Sequence, residues 1–106
     1  MIKILPISGA ADEITSIQLN GKTYDFRIRW NSFEECWYLY VGLVGETPKI
    51  KTKAVNGTDL LAPYSAYEET PDGYLFLIDT EQTYGRPSRD NLGPDKRFKF
   101  YFIDKL

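Results

Sequence analysis

The segment TYDFRIRW, residues 23–30, alternates strictly between large apolar and polar side chains. Its apolar side chains are Tyr24, Phe26, Ile28 and Trp30, and its charged ones are Asp25, Arg27 and Arg29. A period of two places the first set on a buried face of a β-strand and the second on a solvated face. The segment follows Asn20 and Gly21, which both tolerate the positive φ angles of a two-residue hairpin turn. This stretch therefore predicts a half-buried strand in a β-hairpin.

Six further segments carry strand signals, and turn residues separate them. They are residues 2–6, 13–19, 36–43, 48–55, 74–79 and 97–103. Both faces of 36–43 are apolar, which favours a central strand or a strand covered by a partner, and 74–79 is expected to be a buried strand. Lysines at every second position of 48–55 are typical of a protected sheet edge.

The spacing of these segments predicts the fold class. Long helical periodicity is absent from the sequence, and strand signals recur at intervals of roughly ten residues. We predict a mainly β protein of about seven short strands, folded as a single domain over residues 1–106. Its architecture is expected to be an antiparallel β-sandwich or a small β-barrel. Residues 80–96 form the longest irregular segment, and loops of that length are often functional or ordered by a partner.

The residue types that are missing restrict the chemistry. The chain has no histidine and a single cysteine, Cys36, which excludes the usual catalytic triads, an internal disulfide and a Cys-rich zinc site. Paired carboxylates such as Glu34 and Glu35 leave a hydrolase as an alternative, although adjacent acidic residues on turns are most often solvated surface. We predict a non-enzymatic protein without catalytic residues, metal or cofactor, in which Cys36 is buried.

The aromatic residues indicate binding to other proteins. Six Phe, eight Tyr and two Trp make 15% of the chain, and core packing does not account well for several of the tyrosines. Tyrosine, tryptophan and arginine are enriched at protein interfaces. We therefore expect part of the sheet or loop surface to be covered by another chain. The candidate partner-binding residues are Arg27, Arg29, Tyr40, Tyr84, Arg86 and Arg89.

The basic strand positions leave one alternative function open. Arg27 and Arg29, with the lysines of 48–55, are compatible with a small β-barrel that binds an oligonucleotide or another ligand. Strict alternation puts Trp30 on the opposite face from these arginines, and the net charge of −2 provides no general attraction to nucleic acid. No apolar run approaches the roughly 20 residues that span a membrane. Neither nucleic acid nor a membrane is therefore the expected partner.

Several segments, taken in order, resemble the small baseplate plug proteins of contractile-tailed bacteriophages. They are RIRWN, WYLYV, NGTDLLAPY, YLFLIDT and DNLG. The resemblance runs from about Ile14 to Ile103, and its most specific parts are DLLAPY and DNLG. The positions that carry it are Trp30, Asn31, Trp37, Tyr38, Asp59, Leu60, Leu61, Pro63, Tyr64, Asn91, Leu92 and Gly93. The chain departs from the family pattern in the 42–48 turn and in the longer, more basic loop at 80–89.

This resemblance implies a structural protein of the virion, located in the tail baseplate and assembled in the host cytoplasm. It implies a protein that bridges or plugs the junction of the tail tube and the central hub through protein–protein contacts. The implied partners are the tail tube and hub proteins, with copies in a symmetric ring and no cofactor. Most of the positions that carry the resemblance are expected to be architectural, with the two tryptophans in the core and Pro63 holding a bend.

Overall fold

The computed structural model describes residues 2–68, 70–82 and 85–104. This part of the chain forms seven strands: β1 (Ile2–Ile4), β2 (Asp12–Leu19), β3 (Lys22–Asn31), β4 (Cys36–Leu43), β5 (Ile50–Lys53), β6 (Gly73–Asp79) and β7 (Phe98–Asp104). Its one helical element is a short 3-10 turn, Ala62–Tyr64, and no helix in it is long and apolar enough to cross a membrane. The mainly β prediction is confirmed.

The strands form two antiparallel sheets. The four-stranded sheet has the order β2-β3-β4-β5, and the three-stranded sheet has the order β1-β7-β6. The sheets pack against each other as a sandwich, so the predicted alternative of a closed barrel is wrong. β4 lies between β3 and β5, as its two apolar faces indicated, and the lysine-bearing β5 is an edge strand, as its alternation indicated.

Two turns set the register of the four-stranded sheet. Asn20 and Gly21 have φ angles of 54° and 79°, so both residues of the predicted β2–β3 turn are in the left-handed region. Glu35, with φ 54°, ends the turn between β3 and β4. The resulting register places Phe26 opposite Val41, and both side chains point into the core.

The core fills the space between the two sheets. Its largest fully buried side chains come from the inner faces of both sheets and include Phe26, Trp37, Leu39, Leu75, Phe98, Phe100 and Phe102. Leu60 and Leu61 reach the core from the segment between β5 and β6, and Leu60 N donates to the Leu75 carbonyl at 2.8 Å. Cys36 is buried, as predicted. Both sheets therefore depend on one shared apolar layer.

The prediction that β6 is a buried strand is wrong for one of its faces. Leu75 and Leu77 are fully buried, but Tyr74 is exposed and Phe76 and Ile78 are only half-buried. The physical reason is the layer structure. The inner face of the three-stranded sheet packs on the other sheet, and no described element covers its outer face.

Replacing Leu77 with alanine tests the shared core. Leu77 is fully buried between the sheets, so we expect the free energy of unfolding to fall by about 2–5 kcal/mol in urea denaturation. The control is Ile14→Ala, because Ile14 lies on an outer face and is 63% exposed. This control should change stability by less than about 0.5 kcal/mol. Equal losses for the two variants would contradict the sandwich.

Candidate interaction surfaces

The outer face of the four-stranded sheet carries arginine, tyrosine and lysine side chains in rows. In one row Arg27 lies opposite Tyr40, and Tyr40 lies opposite Lys51. In the next row the pairs are Asp12 with Arg29, Arg29 with Tyr38, and Tyr38 with Lys53. We call this surface, formed by Arg27, Arg29, Tyr38, Tyr40, Lys51 and Lys53, the tyrosine face. Three of the predicted partner-binding residues, Arg27, Arg29 and Tyr40, therefore lie together.

The two arginines of the tyrosine face share one carboxylate. Arg27 donates from Nε and Nη2 to the two oxygens of Asp12 at 3.0 and 2.9 Å, and Arg29 Nε lies 3.5 Å from Asp12 Oδ2. The hydrogen bonds from Arg27 lower the pKa of Asp12 and raise the pKa of Arg27. Asp12 offsets one of the two positive charges, which weakens the attraction that the arginines would have for nucleic acid phosphates.

The tyrosine rings are held in place by neighbouring charges. Lys51 Nζ lies 4.9 Å from the ring centroid of Tyr38 and 5.7 Å from that of Tyr40, within cation–π range. The Tyr38 hydroxyl donates to the Glu34 carboxylate, with oxygen distances of 2.8 and 3.0 Å. This hydrogen bond raises the pKa of Tyr38 to about 12. The rings thus present an ordered aromatic surface.

Phe33 stands out at the tip of the β3–β4 turn. Its side chain is 96% exposed. The turn beneath it is rigid, because Asn31 Oδ1 accepts from Glu34 N at 2.9 Å and Asn31 Nδ2 donates to Glu34 Oε1 at 3.1 Å. A cavity of about 410 Å³ opens between Phe33 and the tyrosine face. Our sequence reasoning missed Phe33, although an aromatic residue inside the polar turn NSFEE was a visible signal.

The remaining candidate residues do not form one site. Arg89 acts inside the fold: its Nη1 donates to the Gly9 carbonyl at 2.8 Å, and its guanidinium lies 5.5 Å from the Trp37 ring centroid. Arg86 is exposed and lines a cavity of about 470 Å³ with Glu35 and Lys53, next to the tyrosine face. Tyr84 lies outside the described residues.

Residues of the RIRWN, WYLYV and DNLG segments contact other residues of the same domain. Trp30 and Trp37 meet edge to face, with centroids 5.2 Å apart, and Trp37 Nε1 donates to the Ser88 carbonyl at 2.9 Å. Asn91 Oδ1 accepts from Ser88 N at 2.7 Å, and Leu92 is buried. Gly93 N donates to Phe98 O at 3.0 Å, and a Cβ at Gly93 would lie 3.2 Å from the Ser8 carbonyl. These contacts fasten the loop after β6 to the sandwich.

The DLLAPY segment joins the two sheets. Asp59 Oδ1 accepts from Leu61 N at 3.1 Å and from Leu75 N, in β6, at 3.0 Å. Tyr64 lies at the end of the 3-10 turn that contains Pro63, and its hydroxyl donates to the Lys51 carbonyl, in β5, at 2.6 Å. The segment therefore connects an edge of each sheet.

A buried ion pair closes the base of the 80–96 segment. Asp79 has a side chain only 1% exposed and accepts from Arg97 Nε and Nη2 at 2.8 and 2.9 Å. It also accepts from the backbone N–H groups of Glu81 and Gly85, each at 3.0 Å. These hydrogen bonds raise the pKa of Arg97. The described residues contain no group of three or more His, Cys, Asp or Glu side chains that could hold a metal ion.

Comparison with known proteins gave one informative match. The family model described as "Cyanophage baseplate Pam3 plug gp18" matches residues 1–105. This match covers nearly the whole chain and confirms the resemblance drawn from the sequence segments. The search of curated proteins found no match.

The Asp79–Arg97 pair supports a stability prediction. Asp79→Asn removes the charge that holds Arg97 while the site stays buried, so we expect the melting temperature to fall by about 10 °C or more. The control is Asp12→Asn, because Asp12 also pairs with arginine but lies on the surface with a side chain 45% exposed. Its melting temperature should move much less. Similar shifts for the two variants in thermal denaturation would contradict the structural role of the buried pair.

The Glu34–Tyr38 hydrogen bond predicts a late phenol titration. Folding raises the pKa of Tyr38 from its ordinary value of 10.0 to about 12, so this contribution to stability is present below pH 10 and is lost as the pH rises toward 12. The difference in phenolate absorbance between the wild-type chain and Tyr38→Phe measures the midpoint. Glu34→Gln should move the midpoint down, because it removes the negative charge. A wild-type midpoint near 10 would contradict the hydrogen bond, provided that circular dichroism shows the chain still folded.

Proposed function

The chain belongs to the family of the cyanophage baseplate plug, and we propose that it bridges or plugs the junction of the tail tube and the central hub. Membership implies a structural role in the baseplate of the phage tail, in contact with other baseplate or tail proteins. The proposal names the tail tube and hub proteins as those partners, with copies of the chain arranged in a symmetric ring. The role is non-enzymatic and consists of contacts alone.

The single observation that carries the proposal is the exposure of Phe33 beside the tyrosine face. A phenyl ring that is 96% exposed gains nothing from folding, and aromatic rings of this kind serve as anchors when a partner buries them. Lys51 and Glu34 already order the neighbouring tyrosines, so little side-chain freedom is lost when a partner covers them. The surface is therefore suited to tight, specific contact.

The predicted partner-binding residues have different roles in this proposal. Arg27, Arg29 and Tyr40 form the contact surface with Phe33, and the exposed Arg86 extends it beyond β5. Arg89 acts indirectly, since its bond to the Gly9 carbonyl orders the loop that carries Arg86. Tyr84 is proposed as a contact from the sequence alone.

Complementation of a phage that lacks this gene tests the proposal. Without the chain, we expect tails that fail to join the tube to the hub, seen by electron microscopy, and a loss of infectious titre. The wild-type gene should restore both. Normal tails and normal titre in the absence of the chain would overturn the proposed function.

A point variant tests the contact surface in the same system. Phe33→Ser should fold with an unchanged melting temperature, because the ring is exposed, and should lower the amount of chain in purified tails by about tenfold or more. The matched control is Val44→Ser, because Val44 is 52% exposed and lies in the turn at the other end of β4. Equal incorporation of the two variants would remove Phe33 from the interface.

A further inference from the structure

The outer face of the three-stranded sheet is apolar. Tyr74 lies opposite Ile103 and Ile103 opposite Ile2, which makes one row across the sheet. Phe76, Tyr101 and Ile4 make the next row, and Ile78 lies opposite Lys99 in the third. We call these eight side chains the apolar face: Ile2, Ile4, Tyr74, Phe76, Ile78, Lys99, Tyr101 and Ile103.

This face is open to solvent, although its residues are of the kind that pack in cores. Ile2 is 67% exposed, Ile4 43% and Tyr74 41%, and the other members are half-buried. The side chains that alternate with them, such as Leu75 and Phe102, already fill the core on the inner face. A sheet with one solvated face normally carries polar residues there. A contiguous apolar patch on a folded protein marks an interaction surface.

Charge separates this face from the tyrosine face and indicates what covers it. Of the eight side chains that define it, Lys99 alone is charged. A second copy of the chain would bring another lysine and no carboxylate from the same face, so the face is not self-complementary. A partner that covers Lys99 must supply a negative group, because burying an unpaired ammonium is costly.

We propose that the apolar face is covered in the baseplate by an apolar surface of a different tail protein that presents a carboxylate to Lys99. This inference rests on the proposed function, since it names a second contact of the same structural component. The two outer faces then engage two chemically different neighbours. The alternation of β6 and β7 places core side chains on the inner face and most of this second contact on the outer face.

The experiment uses the gene-deleted phage and quantifies the chain in purified tails. Ile4→Lys inserts a charge into the apolar face on its edge strand β1, beside Tyr101, and we expect at least a tenfold loss of incorporation relative to wild type. The matched control is Val44→Lys, since Ile4 and Val44 are 43% and 52% exposed. Lys99→Glu should also lose incorporation, because it repels the partner's carboxylate, whereas Lys99→Arg should retain it.

Four outcomes decide between the alternatives. Loss with Ile4→Lys and Lys99→Glu, but not with Val44→Lys and Lys99→Arg, supports the inference. If the Ile4→Lys variant melts at a lower temperature than wild type, Lys99→Glu still tests the inference. Lys99→Glu changes the sign of an existing charge and adds no charge at an apolar position. A wild-type dimer in sedimentation that Ile4→Lys dissociates would assign the face to a second copy and overturn the inference. Equal incorporation of all variants would overturn this inference and leave the proposed function standing. Absence of the wild-type chain from purified tails would overturn both the inference and the proposed function.

Discussion

The antiparallel register between β3 and β4 is the constraint on which the core and the main surface both depend. Pairing Phe26 with Val41 on the inside requires Arg27 and Tyr40 to pair on the outside. A slip of one residue would send the core side chains into solvent and the arginines into the core. The Asn31–Glu34 hydrogen bonds in the turn between β3 and β4 help to hold this register. The left-handed residues of the β2–β3 turn set the pairing of β2 with the other edge of β3.

The two sheets combine a common core with outer faces of opposite character. The tyrosine face carries charges and ordered rings, and the apolar face carries one lysine among seven uncharged side chains. A surface rich in arginine and lysine and a surface of isoleucine and tyrosine do not attract the same partner. A partner surface that matches the apolar face would leave the charged groups of the tyrosine face desolvated and unpaired. A small domain with two such faces is suited to a place between different neighbours in a larger assembly.

Sequence patterns predicted the features that depend on neighbouring residues and missed the contacts between residues far apart along the chain. The shared outer face of Arg27, Arg29 and Tyr40 follows from alternation within neighbouring strands, and their role in binding stays a prediction. Arg89 was predicted as a partner contact, and no sequence pattern indicated its hydrogen bond to the Gly9 carbonyl, 80 residues away along the chain. The role of Asp79 was missed for a similar reason, since Arg97 lies on the far side of the longest loop.

By itself the sequence determined the strands, the turn between β2 and β3, the core-facing side of the strictly alternating strand β3, and the family. These follow from alternation, turn chemistry and the order of short segments, which are all properties of neighbouring residues. Only the tertiary structure decided which strands share a sheet, which carboxylate pairs with the arginines, and that the outer side of β6 and β7 lies open. Those outcomes depend on pairings between distant segments and on the number of layers, and no pattern within a single strand encodes them.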